Sequence, residues 1–167
     1  MKSAVLSAFA LSLFFVSCKD DKKTETPAAE AKKETLFSVT VNAVVTKDDT
    51  FQVFYNEDGT ETWPADQAVT VDVKGSPDAQ DIVFEVPDDY TPMALRLDIG
   101  ANKDQKEVTF KNFKVKYKGK EMNAKGAEIF KYFYPAVQVE FDTVAGVAKI
   151  KPSKDRHTIR LWRAHSL

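Results

Sequence analysis

Apolar and polar side chains alternate along most of the chain from Leu36 onward. Alternation with a period of two is typical of β-strands that are buried on one face only. Gly, Pro, Asn and Asp residues separate the alternating runs, as expected of turns. The pattern predicts about nine short strands, over residues 37–43, 51–55, 69–73, 82–86, 95–99, 107–117, 137–141, 147–150 and 158–162.

Two segments depart from simple alternation. Within residues 107–117 the apolar positions change parity near Lys111 and Asn112, which indicates a β-bulge or two short strands joined at a corner. Residues 124–134 lose the period of two and instead suit one or two helical turns, which Pro135 would end.

Many short strands with one short helix favour an all-β fold. We expect an antiparallel β-sandwich, jelly-roll-like, over residues 36–165; a fold related to immunoglobulin domains is the alternative.

The N-terminal residues have a different character. Lys2 precedes an apolar run at 4–16, which is followed by Ser17 and the only cysteine of the chain, Cys18. A basic start, a short apolar run and small residues are typical of a secretory signal. The run is shorter than the roughly 20 apolar residues of a membrane-spanning helix.

Residues 15–18, Phe-Val-Ser-Cys, resemble the lipobox of bacterial lipoproteins, with Phe15 where an aliphatic residue is usual. The resemblance implies removal of residues 1–17, acylation of Cys18 and a membrane partner through the lipid anchor. Cys18, Lys19, Asp20 and Asp21 also resemble a lipoprotein export signal, which implies the outer membrane or cell surface. The alternative to the lipobox is an ordinary signal peptide in which Cys18 is not acylated. The alternative to the export signal is an acidic, solvated segment that does not direct localisation.

Residues 19–34 contain no large apolar side chain, so we expect residues 18–35 to act as a charged tether. The whole chain has 24 basic and 25 acidic residues and a formal net charge of −1. That balance argues against nucleic acid as a partner, because binding to phosphates requires an excess of basic residues.

Three segments resemble the closing strands of jelly-roll carbohydrate-binding modules. They are Phe-Glu-Val-Pro at 84–87, Leu-Arg-Leu-Asp-Ile-Gly at 95–100, and residues 108–115. The resemblance covers about a quarter of the chain, mostly at core positions, and therefore implies a jelly-roll fold more than a polysaccharide partner. About fifty further residues follow the last matching strand, as a second incomplete unit or as more strands of the same sandwich.

Sugars are bound by aromatic rings that stack on the pyranose face. The candidates are Trp63, Tyr55, Tyr90 and Trp162, with Trp63 first because Pro64 and polar residues around it indicate an irregular loop. The alternative for each is packing on the core.

Acidic pairs occur at 48–49 and 88–89. Their carboxylate oxygens suit a structural calcium ion; the alternative is that each pair lies in a solvated turn. We expect no other cofactor. Four lysines alternate at 114, 116, 118 and 120 and either contact an acidic glycan or phosphate or form a solvated face.

His157 and His165 lack partners at metal-ligand spacing, and no nucleophile-elbow motif is present. We therefore expect a non-catalytic surface lipoprotein that binds glycan. The alternatives are a structural or assembly lipoprotein that binds an envelope protein, and a small hydrolase with two facing carboxylates.

Overall fold

The computed structural model describes residues 36–152 and the backbone of one further strand at 158–161. In these residues the chain forms eleven strands and one 3-10 helix, arranged as two antiparallel sheets that pack face to face. The predicted all-β sandwich with a short helix is confirmed. The elements are β1 (Phe37–Val44), β2 (Asp49–Asn56), β3 (Ala68–Val73), β4 (Gln80–Val86), β5 (Ala94–Asp98), β6 (Glu107–Tyr117), β7 (Lys120–Lys125), the helix (Gly126–Lys131), β8 (Phe133–Pro135), β9 (Val139–Asp142), β10 (Val147–Ile150) and β11 (Thr158–Leu161).

The first sheet, sheet A, has the strand order β4-β1-β6-β10-β9, with β7 also paired to β6. The second sheet, sheet B, has the order β3-β2-β5-β11-β8. Most connections pass from one sheet to the other, so neighbouring strands are often distant in sequence. No helix in the described part of the chain is long and apolar enough to cross a membrane.

The core lies between the inner faces of the sheets, where the alternating apolar residues meet. Phe51, Val53 and Leu97 of sheet B are at most 1% exposed, and so are Val39 and Phe84 of sheet A. Each large apolar side chain contributes about 1.5–3 kcal/mol when it is removed from water. The alternation seen in the sequence therefore marks the inward-facing positions of both sheets.

The change of parity in β6 is a β-bulge. On β1, Asn42 pairs with Asn112 but Ala43 pairs with Phe110, so Lys111 is the extra residue. The bulge lets Phe110 and Phe113 both face the core, each at 1% exposure, although they lie three positions apart in the sequence, an odd number.

Two strands exceed the predicted count. β7 was not predicted because only Ala124 of its six residues is buried. The helix predicted over 124–134 is shorter, from Gly126 to Lys131, and β8 follows it, with Pro135 inside that strand rather than at a helix end. Proline is tolerated there because β8 is an edge strand, paired to β11 alone.

Candidate functional site

Tyr55 and Tyr90 form an aromatic pair beneath the surface. The Tyr55 side chain is 2% exposed, and its ring centroid lies 5.1 Å from that of Tyr90 in an edge-to-face arrangement. Burial raises the pKa of the Tyr55 phenol above its ordinary value. Tyr55 therefore belongs to the core, and Tyr90 packs against it; Tyr55 offers no ring face to a ligand.

The loop that carries Trp63 joins β2 to β3, and the Asn56 side chain forms three hydrogen bonds within it. The Asn56 Nδ2 atom donates to the carbonyl oxygens of Thr60, at 2.8 Å, and Thr62, at 2.9 Å. Its Oδ1 atom accepts from the Gly59 N–H at 3.0 Å. Because Asn56 is only 4% exposed, these bonds are shielded from water and hold residues 57–62 in one conformation.

Trp63 itself is half-buried. Its indole Nε1 is shielded from solvent and has no acceptor among the described residues. A buried donor without an acceptor costs about 1–3 kcal/mol. The structure thus places Trp63 in a loop, as predicted, with only part of its ring available to a ligand.

Two exposed tyrosines lie at β8 on the edge of sheet B, Tyr132 just before the strand and Tyr134 within it. Tyr132 is 36% exposed and Tyr134 is 38% exposed, whereas Phe133 between them is 5% exposed and packs on Phe113. Lys131 and these three aromatic residues line a surface cavity of about 340 Å³. The cavity, called the β8 groove below, has the size of a small-ligand site.

The loop of Trp63 reaches the β8 groove. The Tyr134 hydroxyl donates a hydrogen bond to Oε1 of Glu61. Glu61 lies two residues before Trp63 in the sequence. Residues separated by more than seventy positions are joined in this way. The structure therefore brings Glu61, in the same loop as Trp63, into contact with one of the exposed tyrosines of the groove.

A charged pair lies on the outer face of sheet B near the groove. The Arg96 guanidinium donates to both carboxylate oxygens of Asp98, at 2.9 and 2.8 Å, and lies 4.2 Å from the Phe54 ring centroid. Asp98 is fully buried while the Arg96 side chain is 23% exposed. By backbone register, Arg160 of β11 pairs with Arg96 on one side and with Tyr134 on the other.

Three carboxylates of the two acidic pairs, those of Asp48, Asp49 and Asp88, accept hydrogen bonds. Asp48 accepts from Lys74 Nζ at 2.7 Å and from Gly75 N–H at 2.8 Å, and these bonds, led by that of Lys74, lower the Asp48 pKa. Asp49 accepts from the N–H groups of Ala101 and Asn102, and Asp88 accepts from that of Leu36. Among the described residues no three His, Cys, Asp or Glu side chains form a cluster suited to a metal ion. The carboxylates thus act as loop anchors.

The remaining predicted site residues lie outside the described residues: Cys18, Lys19, Asp20, Asp21 and Trp162, together with His157 and His165.

Tyr132 and Tyr134 were not predicted as site residues. A helix over 124–134 would place Tyr134 on the same apolar face as Phe133. The signal that identifies them is the local alternation of residues 132–134, since a strand that buries Phe133 must expose its neighbours.

Comparison with known proteins gave no relative: neither a protein-family model, nor a curated protein, nor a solved structure matches the chain.

Proposed function

We propose that this protein is a lipid-anchored envelope protein whose sandwich binds glycan at the β8 groove and catalyses no reaction. The observation that carries the proposal is the pair of exposed rings, Tyr132 and Tyr134, that line a cavity of about 340 Å³. A sugar ring that stacks on a tyrosine removes the apolar face of the aromatic ring from water, and the tyrosine hydroxyl can hydrogen-bond with the sugar. Glu61 and Lys131 supply polar groups at the rim.

The preorganisation of the groove supports the same proposal. The Glu61–Tyr134 hydrogen bond and the Asn56 bonds fix the loop and the Tyr134 ring before a ligand arrives. A site held in its bound geometry loses less conformational entropy on binding, so weak stacking contacts yield a measurable affinity.

The test of glycan binding is a titration of tryptophan fluorescence against a panel of polysaccharides, using the chain without residues 1–17. We expect a saturable change with at least one polysaccharide, and a smaller change in Trp63→Phe, because Glu61 of the same loop contacts the groove residue Tyr134. A flat response across neutral and acidic polysaccharides, with a folded domain, would reject glycan as the ligand.

The anchor is proposed from sequence: a signal peptide at 1–17, acylation of Cys18, a tether at 18–35, and export directed by Lys19, Asp20 and Asp21 to the outer membrane or cell surface. Acyl chains on one cysteine provide the two or more membrane-binding signals that stable anchoring requires. We expect Cys18→Ser to move the protein from the detergent phase to the aqueous phase in a detergent-partition assay. Ser17→Ala, which keeps a small residue before the cysteine, should remain in the detergent phase. Acylation at Cys18 would be contradicted if both variants moved to the aqueous phase, or if both stayed in the detergent phase.

A protein partner is the second candidate. Edge strand β4 ends sheet A, and Val83 at its centre is 44% exposed on the outer face. An edge strand with an exposed apolar residue is suited to pairing with a strand of another protein. A flat response in the glycan titration would favour this function.

A further inference from the structure

The β6–β7 hairpin differs in charge from the rest of the protein. Residues 107–125 contain six lysines and two glutamates, although the whole chain has a formal net charge of −1. The lysines of this basic hairpin are Lys111, Lys114, Lys116, Lys118, Lys120 and Lys125.

Backbone register places part of this charge on one surface. Lys116 pairs with Glu121, Lys114 with Asn123, and Asn112 with Lys125. Since Phe113 and Val115 of β6 face the core, these three cross-strand pairs lie on the outer face of sheet A. Lys114 and Lys116 are therefore about 7 Å apart along the strand.

Several cations elsewhere on the sandwich are matched with carboxylates: Lys74 with Asp48, Arg96 with Asp98, and Lys149 with Asp142. Among the described residues, the hairpin lysines form no ion pair of this kind, and Lys118 contacts the Tyr117 ring instead. Lysine side chains that lie on one hairpin without carboxylate partners repel one another. An anionic partner that binds there would reduce this repulsion.

The tip of the hairpin lies where the N-terminal segment joins the sandwich. The Lys118 N–H donates to the Leu36 carbonyl oxygen at 2.9 Å, and Tyr117 pairs with Phe37. Lys118 also has a φ of 47°, a left-handed conformation that is costly for a residue with a Cβ. Residues 18–35 span at most about 60 Å when fully extended. A lipid on Cys18 would therefore keep the tip of the hairpin within about 60 Å of the membrane surface.

We infer that the basic hairpin is a docking surface for anionic, phosphate-bearing headgroups of the membrane to which the protein is anchored. This inference rests on the proposed acylation of Cys18 for its location, but not on glycan binding. Each lysine close to an anionic membrane surface strengthens binding by about fivefold, and the attraction falls as salt screens it.

The test uses the chain without residues 1–17, coupled through its only cysteine, Cys18, to a maleimide lipid in phosphatidylcholine vesicles with or without phosphatidylglycerol. Chemical coupling makes the result independent of natural acylation. Acetylation of each lysine is followed by mass spectrometry. We expect Lys114, Lys116 and Lys120 to be protected on anionic vesicles only, and protection to be lost at high salt.

The affinity is measured by sedimentation of the uncoupled chain with the same vesicles. Lys114→Glu/Lys116→Glu should weaken binding to anionic vesicles by about thirtyfold or more. Lys47→Glu/Lys103→Glu makes the same change in net charge in exposed loops at the other end of the sandwich and should weaken it less than about threefold. The inference would be overturned if the two variants lost affinity equally, or if the unchanged protein bound neutral vesicles as tightly as anionic ones. It would also be overturned if the protein bound no vesicles, whether or not it bound a soluble acidic polysaccharide.

Discussion

At the scale of single residues, Gly100 and Asp49 show how closely the loops at one end of the sandwich are built. Gly100 has a φ of 105°, and a Cβ added there would lie 2.0 Å from Asp49 Oδ2. The same carboxylate accepts hydrogen bonds from the N–H groups of Ala101 and Asn102. The absence of a side chain at position 100 thus allows Asp49 to anchor the loop between β5 and β6.

Gly100→Ala is therefore expected to lower the free energy of unfolding by about 3 kcal/mol. The change combines a left-handed backbone penalty of about 1–2 kcal/mol with the loss of the hydrogen bonds that Asp49 accepts from Ala101 and Asn102. Gly119→Ala is the control, because Gly119 has a φ of 80° but open space around its Cβ position, and it should lose only about 1 kcal/mol. Urea denaturation measures both; equal losses would show that the Asp49 contact does not matter.

Asn56 makes the second prediction at this scale. Asn56→Ala removes three hydrogen bonds and leaves the carbonyl oxygens of Thr60 and Thr62 without their described side-chain donor. We expect a loss of about 2–3 kcal/mol and faster proteolysis within residues 57–67. Asn42→Ala, at a surface position where the side chain makes one bond to Asp81, should cost less than 1 kcal/mol, as is typical of surface positions. Unchanged cleavage in Asn56→Ala would refute its role in shaping the loop.

The sequence is informative about single residues inside strands and less so about loops. Tyr55 has the same parity as Phe51 and Val53, so its burial was predictable from alternation alone. The half-buried state of Trp63 was not, since it depends on hydrogen bonds from Asn56 and on a contact between Glu61 and Tyr134 that joins remote parts of the chain.

At the scale of elements, the bulge in β6 was predicted near Lys111 and Asn112, and the structure confirms it. Alternation also located the strands that form the core, because burial on one face imposes a period of two. The edge strands β7 and β8 were missed since they bury few side chains, and their position is set by pairing with β6 and β11 instead.

Deletion of Lys111 provides a test of the bulge. Without the extra residue, Val108 and Phe110 would move to the outer face or slip their register with β1. Since the loss of two buried side chains costs about 3–6 kcal/mol and domains are stable by about 5–15 kcal/mol, we expect little folded protein. Lys111→Ala keeps the residue count and should fold normally, as judged by circular dichroism. A stable deletion variant would show that the bulge is dispensable.

At the scale of the whole molecule, the sandwich presents two surfaces of different chemistry. The β8 groove lies at the edge of sheet B, with exposed tyrosines and a preorganised loop. The basic hairpin lies on sheet A, where the N-terminal segment joins the domain. Docking of the hairpin on a membrane would leave the groove on the other sheet available to a polymer outside the cell.

The fold class could be predicted from the sequence because core positions repeat with a simple period. The position of the glycan groove could not, because it forms where the short strand β8, the helix before it and the loop of Glu61 meet. Such a site depends on which strand ends are neighbours, and this is a property of sheet order.

The most direct test of the central claim is isothermal titration of Tyr134 variants with the polysaccharide that gives the strongest fluorescence response. Tyr134→Ala removes the exposed ring and should weaken binding at least about tenfold, which corresponds to about 1.4 kcal/mol. Tyr134→Phe keeps the ring but loses the hydrogen bond to Glu61, and should weaken binding less than Tyr134→Ala does. If Tyr134→Ala binds as tightly as the unchanged protein, the β8 groove is not the glycan site.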